Sequence, residues 1–182
     1  MIHLKINANI ILFFLLLTGI FMQCKEPEKY PVEPQIKFEY FTRFDTITKS
    51  VNGQIYLYYN RGALCFSYTD GDGDLGVKID STLPADFANM FIIYYEIQNN
   101  DTVRVALVAP DTGDTMTYNT IIPNLTPEYF SGNGIKGEIS DTLFIFPTSP
   151  YDTILFQIYI QDRAGHKSNT ITTPFIVRKL KI

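Results

Sequence analysis

From Ile36 onward the apolar residues recur at every second position, and this period constrains the chain more than any other feature. Ile36, Phe38 and Tyr40 alternate with Lys37 and Glu39, and Leu64, Phe66 and Tyr68 alternate with Cys65 and Ser67. Ile154, Phe156, Ile158 and Ile160 repeat the pattern. A period of two sends successive side chains to opposite faces of an extended strand, whereas a helix face needs 3.6. Residues 90–97, MFIIYYEI, are apolar on both faces until Glu96 and suit an interior strand. Residues 102–108 follow the turn-forming triplet Asn99-Asn100-Asp101, so the two runs predict a hairpin. Residues 170–177 predict a last strand, which Pro174 pushes to a sheet edge. Weaker strand candidates are 55–59, 116–122 and 142–146. Only 83–89 (LPADFAN) has the early Pro and Asp of a helical turn. With 46% hydrophobic residues the chain has enough apolar surface for a core. Roughly seven to nine strands within residues 35–182 predict an all-β, immunoglobulin-like β-sandwich, with a small β-barrel as the alternative.

Residues 1–23 do not share that pattern. Lys5 is followed by IILFFLLLTGIFM at 10–22, too short for a transmembrane helix, which needs roughly 20 apolar residues. A positive start and an apolar middle have the shape of a secretory signal peptide. Cys24 comes directly after this run and resembles the lipobox of bacterial lipoproteins, with Gln23 where a small residue is usual. The resemblance implies a lipid on Cys24 and a membrane as partner; an uncleaved anchor helix is the alternative. Residues 24–34 are rich in proline and charge and predict an extended tether. Lys25 followed by Glu26 and Glu28 resembles the sorting pattern of outer-membrane cargo, on its periplasmic or cell-surface face.

Removal of residues 1–23 leaves 14 basic and 19 acidic residues, a net charge of −5. No nucleic-acid partner is expected from that balance. His166 is the one histidine left, and there is no tryptophan. With Cys24 lipidated, Cys65 has no partner in the chain, and its strand setting predicts a small buried apolar residue. Nucleophilic catalysis needs a base beside its nucleophile. The chain has no G-x-S-x-G elbow, so no catalytic residue is assigned and the protein is expected not to be an enzyme. The expected role is binding or display of a glycan or an envelope protein. An envelope hydrolase using Asp and Glu carboxylates is the alternative.

One motif carries chemistry. Asp70-Gly71-Asp72-Gly73-Asp74-Leu75-Gly76 directly follows a strand. Aspartates at every second position, separated by glycine, let the chain curl until three carboxylates converge. Such hard oxygens suit Ca²⁺, which takes six to eight of them. The motif is not an EF-hand: Leu75 stands where that loop has Gly, and Ser81 where it has a bidentate Glu. A solvated Asp/Gly turn is the competing interpretation. In an immunoglobulin-like sandwich the connections after strands B and F lie at one end. Taking 63–69 as B, 90–98 as C, 154–161 as F and 170–177 as G puts Asp70–Gly76 and the 162–168 turn on one rim. Asp162 is then the expected fourth ligand beside Asp70, Asp72 and Asp74. Arg163 is the rival, because a guanidinium paired with those carboxylates would replace the cation. Arg163 and His166 together form a second candidate, for an anionic ligand.

The segments SYTDGDGDLG, MFIIYYEIQNN and ILFQIYIQDRAGHKSNTITTP together resemble a family of uncharacterised lipoproteins from Bacteroidota. The resemblance implies the same exported, lipid-anchored sandwich and brings no activity with it. Asp-Thr also occurs six times, at Asp45, Asp101, Asp111, Asp114, Asp141 and Asp152. Asp-Thr-apolar resembles the O-glycosylation acceptor of that phylum, and equally describes a turn that opens a strand.

Overall fold

The computed structural model describes residues 28–49, 55–109, 112–126, 133–145 and 149–178. All regular structure among them is β. The strands are β1 (Gln35–Lys49), β2 (Ile55–Asp70), β3 (Met90–Gln98), β4 (Asp101–Arg104), β5 (Leu107–Val108), β6 (Thr115–Met116), β7 (Ile135–Ile145), β8 (Thr153–Ile160), β9 (Ile171–Thr172) and β10 (Ile176–Val177). One sheet has the order β1-β2-β7 and the second β10-β8-β3-β4, with β9 also on β8 and β5-β6 as a small separate ladder. Strands pair antiparallel, and no sheet closes on itself among the described residues, so the barrel alternative falls. With β1, β2 and β7 as strands A, B and E, and β4, β3, β8 and β10 as C′, C, F and G, the two sheets follow the immunoglobulin-like partition.

The alternation seen in the sequence fills the space between the sheets. Leu64 and Phe66 of β2 and Leu143 and Ile145 of β7 meet Ile92 and Tyr94 of β3 and Ile154, Phe156, Ile158 and Ile160 of β8. Phe156 is fully buried and its ring lies against those of Phe41, Tyr94 and Tyr118. Cys65 is buried and is not in a disulfide.

Several elements differ from the sequence expectation. The 55–59 and 64–68 runs are one strand, β2, continuous through Asn60-Arg61-Gly62. Gly62 is tolerated there because the Phe41 ring occupies the space its Cβ would take. The expected 102–108 strand breaks after Arg104, and β5 leaves to pair with β6. Of the 116–122 candidate, Met116 ends β6 and Thr120 bridges Met90. The last strand is two short pieces on either side of Pro174, whose missing N–H breaks the ladder at the sheet edge. Residues 83–89 form turns, not a helix, with Phe87 N donating to Pro84 O at 3.1 Å. The hairpin expected at Asn99-Asn100 is present: Gln98 pairs with Asp101, and both asparagines take the positive φ of a two-residue turn, 53° and 71°.

Candidate metal centre

β2 runs with Leu64, Phe66 and Tyr68 facing the core, and the same parity turns Asp70 inward at the end of the strand. Asp70 is 0% exposed. The chain then curls. Gly73 and Gly76 have φ of +69° and +87°, and Leu75 folds back under the turn to full burial. The returning Leu75 N–H donates to Asp70 Oδ2 at 2.9 Å. Asp70 Oδ1, Asp72 Oδ1 and Asp74 Oδ1 are buried and have no hydrogen-bond partner. Asp162, from the turn after β8, joins them, and one oxygen of each of the four aspartates lies within 4.8 Å of the others. Oxygens on opposite sides of a Ca²⁺ ion, each about 2.4 Å from it, would be about 4.8 Å apart. The four side chains can therefore hold a metal ion.

The second turn is built to serve the first. Asp162 Oδ1 accepts from His166 N at 2.8 Å, and Asp162 Oδ2 meets His166 Nδ1 at 2.9 Å. This pair fixes the carboxylate as an outer partner fixes a metal ligand. Ala164 N donates to Asp74 Oδ2 at 3.0 Å. Arg163 donates to Gly76 O at 3.0 Å and to Asn124 Oδ1 at 3.2 Å, and forms no ion pair among the described residues. It clasps the turn from outside and leaves the space among the carboxylates to Asp162. Arg163 and His166 are thus each occupied by a different part of the turn.

The electrostatics follow from this crowding. Burial, reinforced by the Asp72 and Asp74 charges, pushes the Asp70 carboxyl up to about 6, against the opposing bond from Leu75. Asp74 is raised by burial and then by the charges of Asp162 and Asp72. His166 is raised by its hydrogen bond to Asp162. A carboxyl raised on folding opposes the folded state once it is ionised, and a bound cation offsets that opposition.

Sequence reasoning brought the four aspartates together but missed what packs around them. The turn touches three other segments through its glycines. A Cβ on Gly71 would strike the carbonyls of Tyr30 and Pro31, one on Gly73 that of Asn133, and one on Gly76 that of Pro123. A glycine at each contact was the available signal. Also missed was a buried pair at the opposite side of the core, Glu96 and Arg178, 3.7 Å apart with side chains 3% and 0% exposed. Its signal was Glu96 interrupting an apolar strand. Cys24 and the 10–22 run lie outside the described residues. Of the Asp-Thr sites, Thr102, Thr112, Thr115 and Thr142 are exposed. A scan against family models, a search of curated proteins and a search of solved structures each returned no match.

Proposed function

We propose that this chain is an exported lipoprotein, anchored through Cys24 in the outer membrane, whose sandwich holds Ca²⁺ on one rim and binds or displays rather than reacts. The calcium reading is carried by four aspartates that each bring an oxygen within 4.8 Å of the others, three of them also having a buried oxygen without a hydrogen-bond partner. Buried polar atoms are normally satisfied, and a cation satisfies all three at once. Oxygen ligands without nitrogen or sulfur select a hard ion, and an irregular set of carboxylates suits Ca²⁺ better than the strict octahedron of Mg²⁺.

Binding is favoured over hydrolysis by two features. Carboxylates that flank a glycosidic bond stand about 5–9.5 Å apart with room for sugar or water between them. Here four converge on one point. An exposed aromatic strip also runs across the outer face of β1-β2-β7: Tyr40, Phe44 and Phe144 are exposed, and the Arg61 guanidinium sits 5.5 Å from the Phe44 ring centre and 5.6 Å from that of Phe144. Aromatic and arginine surfaces of this kind suit a glycan or an envelope protein as partner. The lipobox-like Cys24 and the resemblance to Bacteroidota lipoproteins support the anchored setting.

Palmitate labelling and membrane fractionation of the full chain test the anchor. Wild type should incorporate label and sediment with outer membrane, and Cys24→Ala should do neither. Equilibrium dialysis of the same chain against radioactive calcium should find about one ion per molecule. Label that persists on Cys24→Ala, or no calcium bound by wild type, would contradict the corresponding half of the proposal.

A further inference from the structure

The segment leading into β1 does not stand clear of the domain. Pro34 is buried, and Ile36 is locked to the last loop by two bonds of 2.8 Å, Ile36 N to Asn169 Oδ1 and Asn169 Nδ2 to Ile36 O. Further out, Tyr30 and Pro31 lay their carbonyls directly over Gly71, and the Tyr30 ring approaches to 3.0 Å of where a Cβ on Gly134 would lie. Glu28 pairs with Lys136 at 2.6 Å and accepts from Tyr30 OH. The exposed Glu28–Lys136 pair holds little by itself. The contact that reaches the turn is the one with Gly71, and Gly71 lies between two of the converging carboxylates.

We infer that the cation site is also the joint that docks residues 28–34 onto the rim, so that ion occupancy sets how the sandwich is held on its anchor. The inference rests on the calcium reading above. Four like charges without an ion push Asp70 and Asp72 apart, and Gly71 between them must move. The surface that Tyr30 and Pro31 cover exists only while the turn is curled. A bound cation closes the curl and seats the tether; its loss frees the tether from the rim. Asp70 is fully buried and its Oδ1 has no hydrogen-bond partner, so the site has a reason to take an ion beyond the clustering of acids.

Limited trypsin digestion of the full-length chain in detergent reads the joint at the Lys29–Tyr30 bond. Proteolysis of a folded protein follows local opening. Calcium should slow cleavage at Lys29 by about tenfold or more relative to EDTA. Gly71→Ala should cleave rapidly in both conditions. Its φ is not in the left-handed region, so the added Cβ meets the tether and leaves the turn itself unstrained. Equal cleavage of wild type with and without calcium, alongside a normal rise in midpoint, would overturn the joint and leave the cation site standing. Calcium-dependent protection that survives in Gly71→Ala would overturn it too. Absence of any rise in the wild-type midpoint would overturn both.

Discussion

Glu96→Ala is expected to lower folding stability by about 3–5 kcal/mol, because it takes the Glu96 carboxylate from beside a buried, charged guanidinium. Glu96 lies on the core side of β3 and accepts from Tyr94 OH at 2.9 Å, Gln98 Nε2 at 3.0 Å and Ser149 Oγ at 2.8 Å. Arg178, just beyond β10, stands 3.7 Å from Glu96 Oε1 and donates to Ser149 O at 3.1 Å. The pair thus ties the end of the broken last strand to β3 of the same sheet, across the intervening β8. Taking two charges out of water is costly, and removing one partner keeps the cost while losing the attraction. Glu96→Gln should lose less, since the amide oxygen still accepts from the neighbouring donors. A Glu96→Ala/Arg178→Ala double variant should lose less than the two single losses added together, as expected for groups in one network. Urea unfolding of each variant measures these losses. A Glu96→Ala variant within about 1 kcal/mol of wild type would contradict the description of the pair as buried and coupled.

Phe156→Ala is expected to cost a similar amount, about 3–5 kcal/mol. Phe156 is 0% exposed and stands on β8, the strand paired with β3, β9 and β10. Its ring centre lies 5.3 Å from Tyr118 edge-on, 5.7 Å from Tyr94 and 6.2 Å from Phe41 across the sandwich. Truncation removes the transfer energy of the ring and leaves a cavity lined by three other rings on different elements. Rings held by separate backbone segments cannot all move in to fill it. Phe156→Leu should recover most of the loss by retaining volume. Denaturant midpoints with an unchanged slope would assign the difference to the folded state. A loss below about 1 kcal/mol for Phe156→Ala would show that the core collapses around the vacancy.

Strand identity was legible wherever one face is buried and the other wet, as at Ile154–Ile160 and Leu64–Tyr68, because the period then reports the face directly. The hairpin at Asn99-Asn100 was legible because few residues other than asparagine and glycine accept positive φ. The join of 55–59 to 64–68 was not. Asn60-Arg61-Gly62 has the composition of a turn, and what keeps it extended is the Phe41 ring over Gly62 and the Phe44 and Phe144 rings beside Arg61. Those are partners on other strands, invisible to local pattern. The rim divides the same way. Asp70, Asp72 and Asp74 announce themselves by spacing, and Asp162 followed from topology. The choice between Asp162 and Arg163 needed the actual turn, in which His166 holds the carboxylate and Gly76 O takes the guanidinium. The docking of Tyr30 and Pro31 on Gly71 had no local signature, since a proline-rich, charged segment reads as a spacer whether or not something covers it.

The central claim is that the rim aspartates hold a calcium ion, and the thermal midpoint in calcium against EDTA tests it most directly. A ligand that binds only the folded chain raises the midpoint; at 100 times its dissociation constant it adds about 2.7 kcal/mol. Wild type should therefore melt several degrees higher in millimolar calcium than in EDTA. Asp72→Asn should blunt the pattern, with a smaller rise in calcium and a midpoint in EDTA at or above that of wild type. The amide removes one of the four repelling charges and leaves the ion a neutral, weaker oxygen ligand in its place. A wild-type midpoint unmoved by calcium, with Asp72→Asn less stable than wild type in EDTA, would contradict the account and make the cluster a structural turn.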